Sequence, residues 1–325
     1  MKYLITGGAG FIGGHLAELM ISRGDQVTAL DNLSTGSLRN IAKVAENSNF
    51  TFIKGDILDY PAMDELVASH DAVIHLAAAV GVELVVHDPA RTIITNVQGT
   101  ENVIKAATKC KKRVIVASTS EVYGKSDKPE FNEHDDLIIG SPFNSRWCYA
   151  CSKLLDEFYL MAFTRDYGLP GTIVRFFNTV GPRQTGQYGM VIPRFVGAAL
   201  RGEPLRVFGD GLQSRCFCHV HDTIRALYSL IGNSESVGGI YNIGSHNNTT
   251  ILDLAKLVIR RLGSSSEIKI ISYDEAYEAG FEDMRRRMPD IERISSLLDW
   301  HPERSLETII DDVAADLRDL TKSAK

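Results

Sequence analysis

A cluster of glycines directly after the first apolar segment constrains the fold of this chain more than any other feature. The apolar segment covers residues 3–6, Gly7, Gly10 and Gly13 follow it, and residues 12–23 are predicted to form a helix. Glycines between a strand and a helix allow a tight turn and let a diphosphate approach the N–H groups at the helix N-terminus. The start of the chain therefore predicts a βα unit with a nucleotide site.

Short apolar segments alternate with predicted helices through the first half of the chain. Runs such as residues 73–76 are apolar throughout, which is typical of strands buried on both faces of a parallel sheet. The pattern predicts an α/β fold with a Rossmann-like, doubly wound parallel sheet. The strands are expected at residues 3–6, 26–30, 50–53, 72–76, 113–117 and 172–176, and the helices at 12–23, 62–69, 89–110 and 149–167.

The pattern becomes irregular after Asn178, where we expect a smaller C-terminal α/β lobe to begin. Residues 1–177, together with about 212–238, are predicted to form the Rossmann domain, and residues 178–211 and 239–325 the substrate-binding lobe. Amphipathic helices are expected in this lobe at residues 251–262 and 306–317.

Composition excludes several classes of partner. The chain has 325 residues, with 35 Lys and Arg against 41 Asp and Glu, and a net charge of −6. This balance disfavours sequence-independent binding to nucleic acid or to an anionic membrane surface. No apolar run reaches the ~18 residues of a membrane span. We therefore expect no nucleic acid and no membrane among its partners.

The N-terminus and the cysteines indicate a cytoplasmic protein. The first strand begins within a few residues of Met1, which leaves no room for a signal peptide, and five cysteines are an odd number for a disulfide framework. Two clusters, Cys148 with Cys151 and residues 216–221, resemble metal sites at first sight. Their spacing does not bring four ligands together, so no metal site is predicted.

An acidic residue after the second strand indicates which dinucleotide is bound. Asp31 ends that strand about 20 residues after the glycines, where a carboxylate accepts hydrogen bonds from both ribose hydroxyls and repels a 2′-phosphate. NAD is therefore predicted rather than NADP. Further cofactor contacts are expected from Phe11, Ile12, Asn32, Asp56, Ile57, Leu76, Ala77, Asn96, Tyr149 and Lys153.

Tyr149 and Lys153 form a candidate catalytic pair. They lie four residues apart on a predicted helix and so share a face. A lysine ammonium beside a phenol favours the phenolate, which lowers the pKa of a base that must take a proton from a sugar hydroxyl. Residues 118–121 follow the strand at 113–117 and are expected at the same edge of the sheet.

Four parts of the chain together resemble one protein family. Residues 6–13, the Tyr149 and Lys153 pair, residues 175–178 and residues 215–222 look like the extended short-chain dehydrogenase/reductase family of NAD-dependent nucleotide-sugar epimerases, dehydratases and decarboxylases. The resemblance covers nearly the whole chain. It implies a Rossmann domain with a small lobe that binds the nucleotide diphosphate. It also implies a homodimer formed through a helix bundle that contains the Tyr149 helix.

Within this family, residues 118–124 and 145–153 resemble most closely the UDP-glucuronate decarboxylases and UDP-apiose/xylose synthases, with the UDP-hexose 4-epimerases close behind. The resemblance implies that Thr119 assists the 4-hydroxyl group and that Ser120 and Glu121 face carbons 5 and 6 of the sugar. It also implies a set of residues that bind the UDP-linked substrate, with Phe208 stacked on uracil and Arg215 near the carboxylate or diphosphate. The set is Asn178, Phe208, Arg215 and Arg287.

Several reactions remain open after a shared first step, in which Tyr149 takes the 4-hydroxyl proton and a 4-keto sugar forms. A carboxylate on carbon 5 leads to decarboxylation, a hydroxymethyl group permits loss of water as in a 4,6-dehydratase, and rotation of the keto sugar gives a 4-epimerase. Glu121 favours chemistry at carbon 5, so a UDP-glucuronate decarboxylase is the first hypothesis. An NADH-releasing reductase and an NAD-binding regulator are alternatives from other classes.

Overall fold

The centre of the molecule is a parallel sheet of seven strands. The structure, a computed structural model, describes residues 1–81, 87–186, 190–272, 275 and 284–323. In the described residues the strands are β1 (Lys2–Thr6), β2 (Gln26–Asp31), β3 (Phe50–Lys54), β4 (Ala72–His75), β5 (Arg113–Thr119), β6 (Gly171–Phe176), β7 (Thr179–Val180), β8 (Leu205–Phe208), β9 (Ser214–Cys216), β10 (Cys218–His219), β11 (Ile240–Ile243), β12 (Asn248–Thr250), β13 (Ile268–Ile271) and β14 (Arg286–Arg287).

The large sheet has the strand order β11-β6-β5-β4-β1-β2-β3. Its strands run parallel to one another, as the sequence analysis predicts. The helices of the described residues are α1 (Phe11–Ser22), α2 (Tyr60–Ala68), α3 (Pro89–Cys110), α4 (Trp147–Tyr167), α5 (Val191–Arg201), α6 (Val220–Gly232), α7 (Ile251–Leu262), α8 (Glu292–Leu298) and α9 (Leu306–Ser323).

Both faces of the large sheet are buried. Along β1, Tyr3 and Ile5 join an apolar cluster with α1 and α6, whereas Leu4 joins a second cluster with α2, α3 and α4. Successive side chains of a strand point to opposite faces, so the two clusters lie on opposite sides of the sheet. This arrangement explains why the strand sequences are apolar throughout rather than alternating.

Two segments lie with the large sheet, although the sequence analysis placed them in the smaller lobe. Strand β11 pairs with β6, and Ile294 and Trp300 pack into the cluster on the α1 face of the sheet. The assignment of residues 239–325 to a single lobe is wrong for these segments, because an edge strand can come from any distant part of the chain. The rest of the predicted division stays a prediction.

A second core holds the smaller lobe together. Helices α5, α7 and α9 pack against one another and against β8, with Phe195, Leu254, Ile310 and Val207 among their buried side chains. Strands β8 and β13 form a two-stranded parallel sheet beside these helices. The apolar periodicity of α7 and α9 is therefore accounted for by burial of one face of each helix.

Three short strands connect the lobe to the catalytic region. Strands β12, β9 and β14 form a small sheet in which Arg287 pairs with Arg215. Loop strands of two or three residues carry little sequence signal, and the sequence analysis did not predict them. None of the helices in the described part of the chain has the length and apolarity needed to cross a membrane.

Candidate active site

A cavity of about 840 Å³ lies at the carboxyl ends of the large sheet, between the sheet and the smaller lobe. Glycines after β1, Asp31 at the end of β2 and Thr119 at the end of β5 form its wall on the sheet side. The predicted site residues that line it are Gly7, Gly10, Phe11, Ile12, Gly13, Asp31, Asn32, Asp56, Ile57, Leu76, Ala77, Thr119, Ser120, Glu121, Tyr149, Lys153, Asn178, Phe208, Arg215 and Arg287.

The glycine loop fits a diphosphate group. A Cβ atom on Gly7 would lie 2.8 Å from the backbone nitrogen of Ala77, and one on Gly13 would lie 2.3 Å from the backbone oxygen of Gly7. Helix α1 begins directly after Gly10, which forms no side-chain cap. The first N–H groups of a helix have no partner within it and attract anions, so the loop offers the cavity a set of backbone donors.

Asp31 is held at the cavity by backbone groups. Its Oδ1 atom accepts a hydrogen bond from the Leu33 nitrogen at 2.8 Å, and its Oδ2 atom accepts one from the Ala9 nitrogen at 3.0 Å. Burial raises the pKa of Asp31, whereas these two hydrogen bonds lower it. A carboxylate has about four acceptor positions, so acceptor capacity remains for the hydroxyls of a ribose.

Asn96 is the exception among the predicted cofactor contacts. Its side chain is fully buried and does not line the cavity. The amide accepts a hydrogen bond from the Ala79 nitrogen at 2.8 Å and donates one to the Ser152 hydroxyl at 3.1 Å. Asn96 therefore supports the cavity wall and helix α4 from behind, and its predicted contact with a cofactor does not follow from its position.

Tyr149 and Lys153 lie on α4, and both line the cavity. The Thr119 hydroxyl forms a hydrogen bond with the phenol. Burial, followed by the negative charge of Glu121, nevertheless raises the pKa of Tyr149 above its usual range. The expectation of a lowered pKa is not met in this structure, because burial and Glu121 outweigh the hydrogen bond from Thr119. The Lys153 ammonium lies 2.6 Å from the Asp156 carboxylate and pairs with it.

Glu121 is surrounded by guanidinium groups. Its Oε1 atom accepts a hydrogen bond from Arg287 at 2.5 Å, and its Oε2 atom accepts one from Arg146 at 3.0 Å. Burial raises the pKa of Glu121, but the charges of Arg287, Arg146 and Arg215 outweigh this effect and hold the pKa at about 2. Glu121 is therefore ionised at neutral pH.

The predicted substrate-binding residues come from the smaller lobe and its connections. The Arg194 guanidinium lies 4.5 Å from the centre of the Phe208 ring. The Asn178 amide donates a hydrogen bond to the Cys216 oxygen at 3.0 Å, and Arg215 donates hydrogen bonds to the backbone oxygens of Ser214 and Met284. Arg287 is bonded to Glu121, so it belongs to the same charged cluster.

Arg146 is a cavity residue that was not among the predicted site residues. It lines the cavity, is buried and binds Glu121, 25 residues away along the chain. It also lies three residues before Tyr149, one helical turn away. That spacing was the available signal, because residues three and four apart on a helix share a face.

Within the described residues, no group of three His, Cys, Asp or Glu side chains is placed to hold a metal ion. The cysteines of both clusters considered in the sequence are free thiols. His219 instead caps α6 by accepting a hydrogen bond from the His221 nitrogen at 3.0 Å.

Replacement of Gly13 by alanine tests the glycine loop. The new methyl group would collide with the Gly7 oxygen, so the loop must open and its donors must move. We expect the Kd for NAD, measured by titration calorimetry, to rise about 10- to 100-fold. Gly232→Ala, at a helical glycine with open space around it, is the matched control. Equal NAD affinity in the two variants would contradict this role of the loop.

Comparisons with known proteins agree with this geometry. A family model described as GDP-mannose 4,6 dehydratase matches residues 4–313. The chain is 44% identical over 308 residues to UDP-N-acetyl-alpha-D-glucosaminuronate decarboxylase of Bacillus cytotoxicus, a match that covers 94% of each chain. It is 34% identical over 308 residues to UDP-glucuronic acid decarboxylase 1 of Xenopus tropicalis, covering 94% of this chain and 69% of that one.

The fold is also similar to solved structures. A UDP-glucuronic acid 4-epimerase from Bacillus cereus, in complex with UDP-glucuronic acid and NAD, superposes with a TM-score of 0.88 and 29% identity, covering 98% of this chain and 100% of that one. The family model spans nearly the whole chain, and the glycine loop, Asp31 and the Tyr149 and Lys153 pair line one cavity. The chain belongs to the extended short-chain dehydrogenase/reductase family, among its NAD-dependent nucleotide-sugar epimerases, dehydratases and decarboxylases.

Proposed function

We propose that this enzyme is a decarboxylase of a UDP-linked hexuronate, which converts it to a UDP-linked pentose and regenerates its NAD in each turnover. The names of the relatives from Bacillus cytotoxicus and Xenopus tropicalis support this reaction, and they suggest UDP-N-acetylglucosaminuronate and UDP-glucuronate as the first substrates to test. The reaction class is then that of a lyase.

The observation that carries this proposal is the concentration of positive charge beside Tyr149. Three arginines, Arg146, Arg215 and Arg287, act on the carboxylate of Glu121 at the cavity wall. A substrate with both a diphosphate and a sugar carboxylate supplies the anions that such a cluster attracts. A neutral hexose offers only the diphosphate.

The ionisation of Glu121 supports decarboxylation over dehydration. A 4,6-dehydratase needs a base that removes the proton from carbon 5, and an efficient base has a pKa near the working pH. A carboxyl group with a pKa of about 2 is a weak base. Decarboxylation requires no proton removal at carbon 5, because the electron pair of the enolate comes from the broken bond between carbons 5 and 6.

The steps follow from the positions of Tyr149, Thr119 and the arginines. Tyr149, hydrogen-bonded to Thr119, takes the proton of the 4-hydroxyl group. The glycine loop and Asp31 would hold NAD, which would supply a reversible acceptor for the hydride of carbon 4. The resulting 4-keto hexuronate is a β-keto acid, so the bond between carbons 5 and 6 breaks, CO₂ leaves, and the electron pair forms an enolate. Carbon 5 then takes a proton from water, and Tyr149 returns its proton to the oxygen on carbon 4 as the hydride returns to that carbon.

A UDP-glucuronate 4-epimerase is the second candidate. The Bacillus cereus structure with UDP-glucuronic acid and NAD has the same fold over 98% of this chain. A 4-epimerase of this substrate would also need positive charge for the carboxylate. It differs in retaining the carboxylate while the 4-keto sugar turns over, so the products separate the two candidates.

Product analysis tests the proposal directly. We expect UDP-glucuronate or UDP-N-acetylglucosaminuronate, incubated with the purified enzyme, to lose the mass of CO₂ in mass spectrometry and to release CO₂ in equal amount. The Tyr149→Phe variant, which lacks the hydroxyl, serves as control, and its rate should fall by about 10²- to 10⁴-fold. A product of unchanged mass and altered retention would replace the decarboxylase by the epimerase. Loss of water from UDP-glucose would instead indicate a dehydratase.

Replacement of Arg146 by methionine tests the charged cluster. The substitution keeps an unbranched apolar stem and removes the guanidinium group with its charge, leaving Glu121 with fewer partners. We expect the KM for the hexuronate to rise about 10- to 100-fold, the effect of losing one hydrogen bond to a charged group. Binding of UDP-glucose, which has no carboxylate, is the control and should change little. A rise of equal size for both ligands would show that Arg146 does not recognise the carboxylate.

The outer face of α4 supports the predicted homodimer. Cys151, Leu155 and Phe158 are exposed and follow one another at helical spacing, and Phe158 is 67% exposed. Ile93 and Ile94 are exposed on the neighbouring helix α3, which packs against α4. Apolar residues clustered on two adjacent helices are typical of a helix-bundle interface, so we propose that two copies associate through this surface.

The Phe158→Glu substitution tests this interface. A charge at the centre of the surface would have to be buried without a partner, which disfavours association. We expect a dimer for the wild-type protein and a monomer for the variant in light scattering. Phe143→Glu, at an almost fully exposed phenylalanine outside the helix, is the matched control. Monomeric wild-type protein, or a dimeric Phe158→Glu variant, would contradict the proposal.

The cytoplasmic location remains a prediction. All five cysteines, Cys110, Cys148, Cys151, Cys216 and Cys218, are free thiols. Free thiols in this number fit a reducing compartment.

A further inference from the structure

A chain of buried polar groups runs behind the catalytic pair, and the reaction steps above do not use it. Lys153 and Asp156 are joined at 2.6 Å, and both side chains are almost completely buried. The Thr100 hydroxyl donates a hydrogen bond to the same oxygen of Asp156 at 2.9 Å. Burying charges of this kind costs free energy unless each charge has its partners. A pair that is buried at this cost is a candidate for a functional role.

The hydrogen bonds between these buried polar groups have a single consistent direction. Because the one hydroxyl proton of Thr100 points to Asp156, the His75 Nε2 atom, 3.0 Å away, must donate to the Thr100 oxygen. His75 Nδ1 then accepts from the Thr6 hydroxyl at 2.7 Å. Burial, followed by the charge of Lys153, lowers the pKa of His75 to about 3, so the ring is neutral as this pattern requires.

This series of hydrogen bonds thus connects the start of the glycine loop to the catalytic lysine. Thr6 is the residue before Gly7, and its hydroxyl also accepts a weak hydrogen bond from the Ala77 nitrogen at 3.4 Å. At the other end, Asp156 holds the ammonium of Lys153, a residue that lines the cavity.

We propose that Asp156 is a positioning residue for the catalytic pair, which fixes the Lys153 ammonium in the cavity wall and offsets its charge where it faces Tyr149. The proposal rests on the proposed function in one respect, that Tyr149 is the group that takes the 4-hydroxyl proton. Asp156 itself is not among the described residues that line the cavity, so it acts on the pair from behind the cavity wall.

The groups around Lys153 and Tyr149 identify Asp156 as the carboxylate that offsets the charge of Lys153. On α4, the neighbouring Glu157 is held by Arg175 through two hydrogen bonds and by Ser118, so its charge is satisfied elsewhere. On α3, Thr100 is neutral and contacts Asp156 directly. On β4, His75 is also neutral and contacts Thr100 rather than Asp156.

Tyr149 faces one further charged group. Glu121, in the helical turn after β5, raises the pKa of Tyr149 and is itself balanced by arginines. Asp156 raises the pKa of the phenol as well. Removing the charge of Asp156 should therefore lower the pKa of Tyr149, because the positive charge of Lys153 would no longer be offset.

The Asp156→Asn substitution tests this role, since it keeps the size of the side chain and removes its charge. We expect kcat to fall about 10-fold or more while the KM for the hexuronate changes little, because Lys153 loses its anchor. The acidic limb of the kcat profile should move to lower pH by roughly one unit. Asp156→Ser, smaller and also uncharged, gives the same measurement if the asparagine variant does not fold.

Thr100→Val is the matched control. It removes the hydrogen bond to Asp156 and retains the carboxylate, so the acidic limb should stay at its wild-type pH even if kcat decreases. An acidic limb that moves equally in both variants, or in neither, would overturn the proposal and leave Asp156 a structural residue.

A titration without any sugar separates this proposal from the proposed function. The near-ultraviolet absorbance of tyrosinate is followed with rising pH in four proteins: wild type, Tyr149→Phe, Asp156→Asn and the double variant. The difference between each pair reports Tyr149 alone, and its phenolate should form at lower pH by roughly one unit when Asp156 is replaced. An unchanged titration overturns the role of Asp156. Failure of every hexuronate to react would overturn the decarboxylase and leave this result standing.

Discussion

The common direction of the seven strands determines where the functional groups of this protein lie. In a parallel sheet all carboxyl ends meet at one edge, and the pairing registers place Thr6 beside His75 and Thr119 beside Phe176. Asp31 ends β2 at the same edge. The glycine loop, the carboxylate for a ribose and the catalytic hydroxyls are therefore neighbours in space, although they lie far apart in the sequence. Helices buried against both faces hold the strands in this register.

Helix α4 combines several tasks through its periodicity of 3.6 residues per turn. Tyr149 and Lys153 face the cavity, Asp156 and Glu157 lie buried against the sheet and its neighbours, and Phe158 faces outward. A shift of the helix by one residue would exchange these environments and would place charges in the apolar core. An ion pair with Arg175 of β6 and hydrogen bonds from Ser118 of β5 and Thr100 of α3 hold α4 in place and therefore also fix the geometry of the catalytic pair.

The sequence was sufficient for the features that depend on local spacing. The glycine loop and the pair of Tyr149 and Lys153 follow from patterns of a few residues, and both are where those patterns predict. The contact of Glu121 with Arg287 joins residues 166 positions apart, and no local pattern reports it. Asp156 is an intermediate case. Its spacing of three residues from Lys153 was visible, but such a pair is usually a solvent-exposed contact on a helix surface, and only the structure shows that this one is buried.

The charges on the two sides of Tyr149 are distributed differently, and this difference bears on the reaction. On the helix side, Lys153 and Asp156 offset each other. On the other side, three arginines act on Glu121, so positive charge is concentrated at the cavity wall. Charge in a buried site acts most strongly on the nearest unscreened anion. The protein therefore concentrates positive charge on the cavity side of Tyr149, an arrangement that suits the hexuronate substrate proposed above.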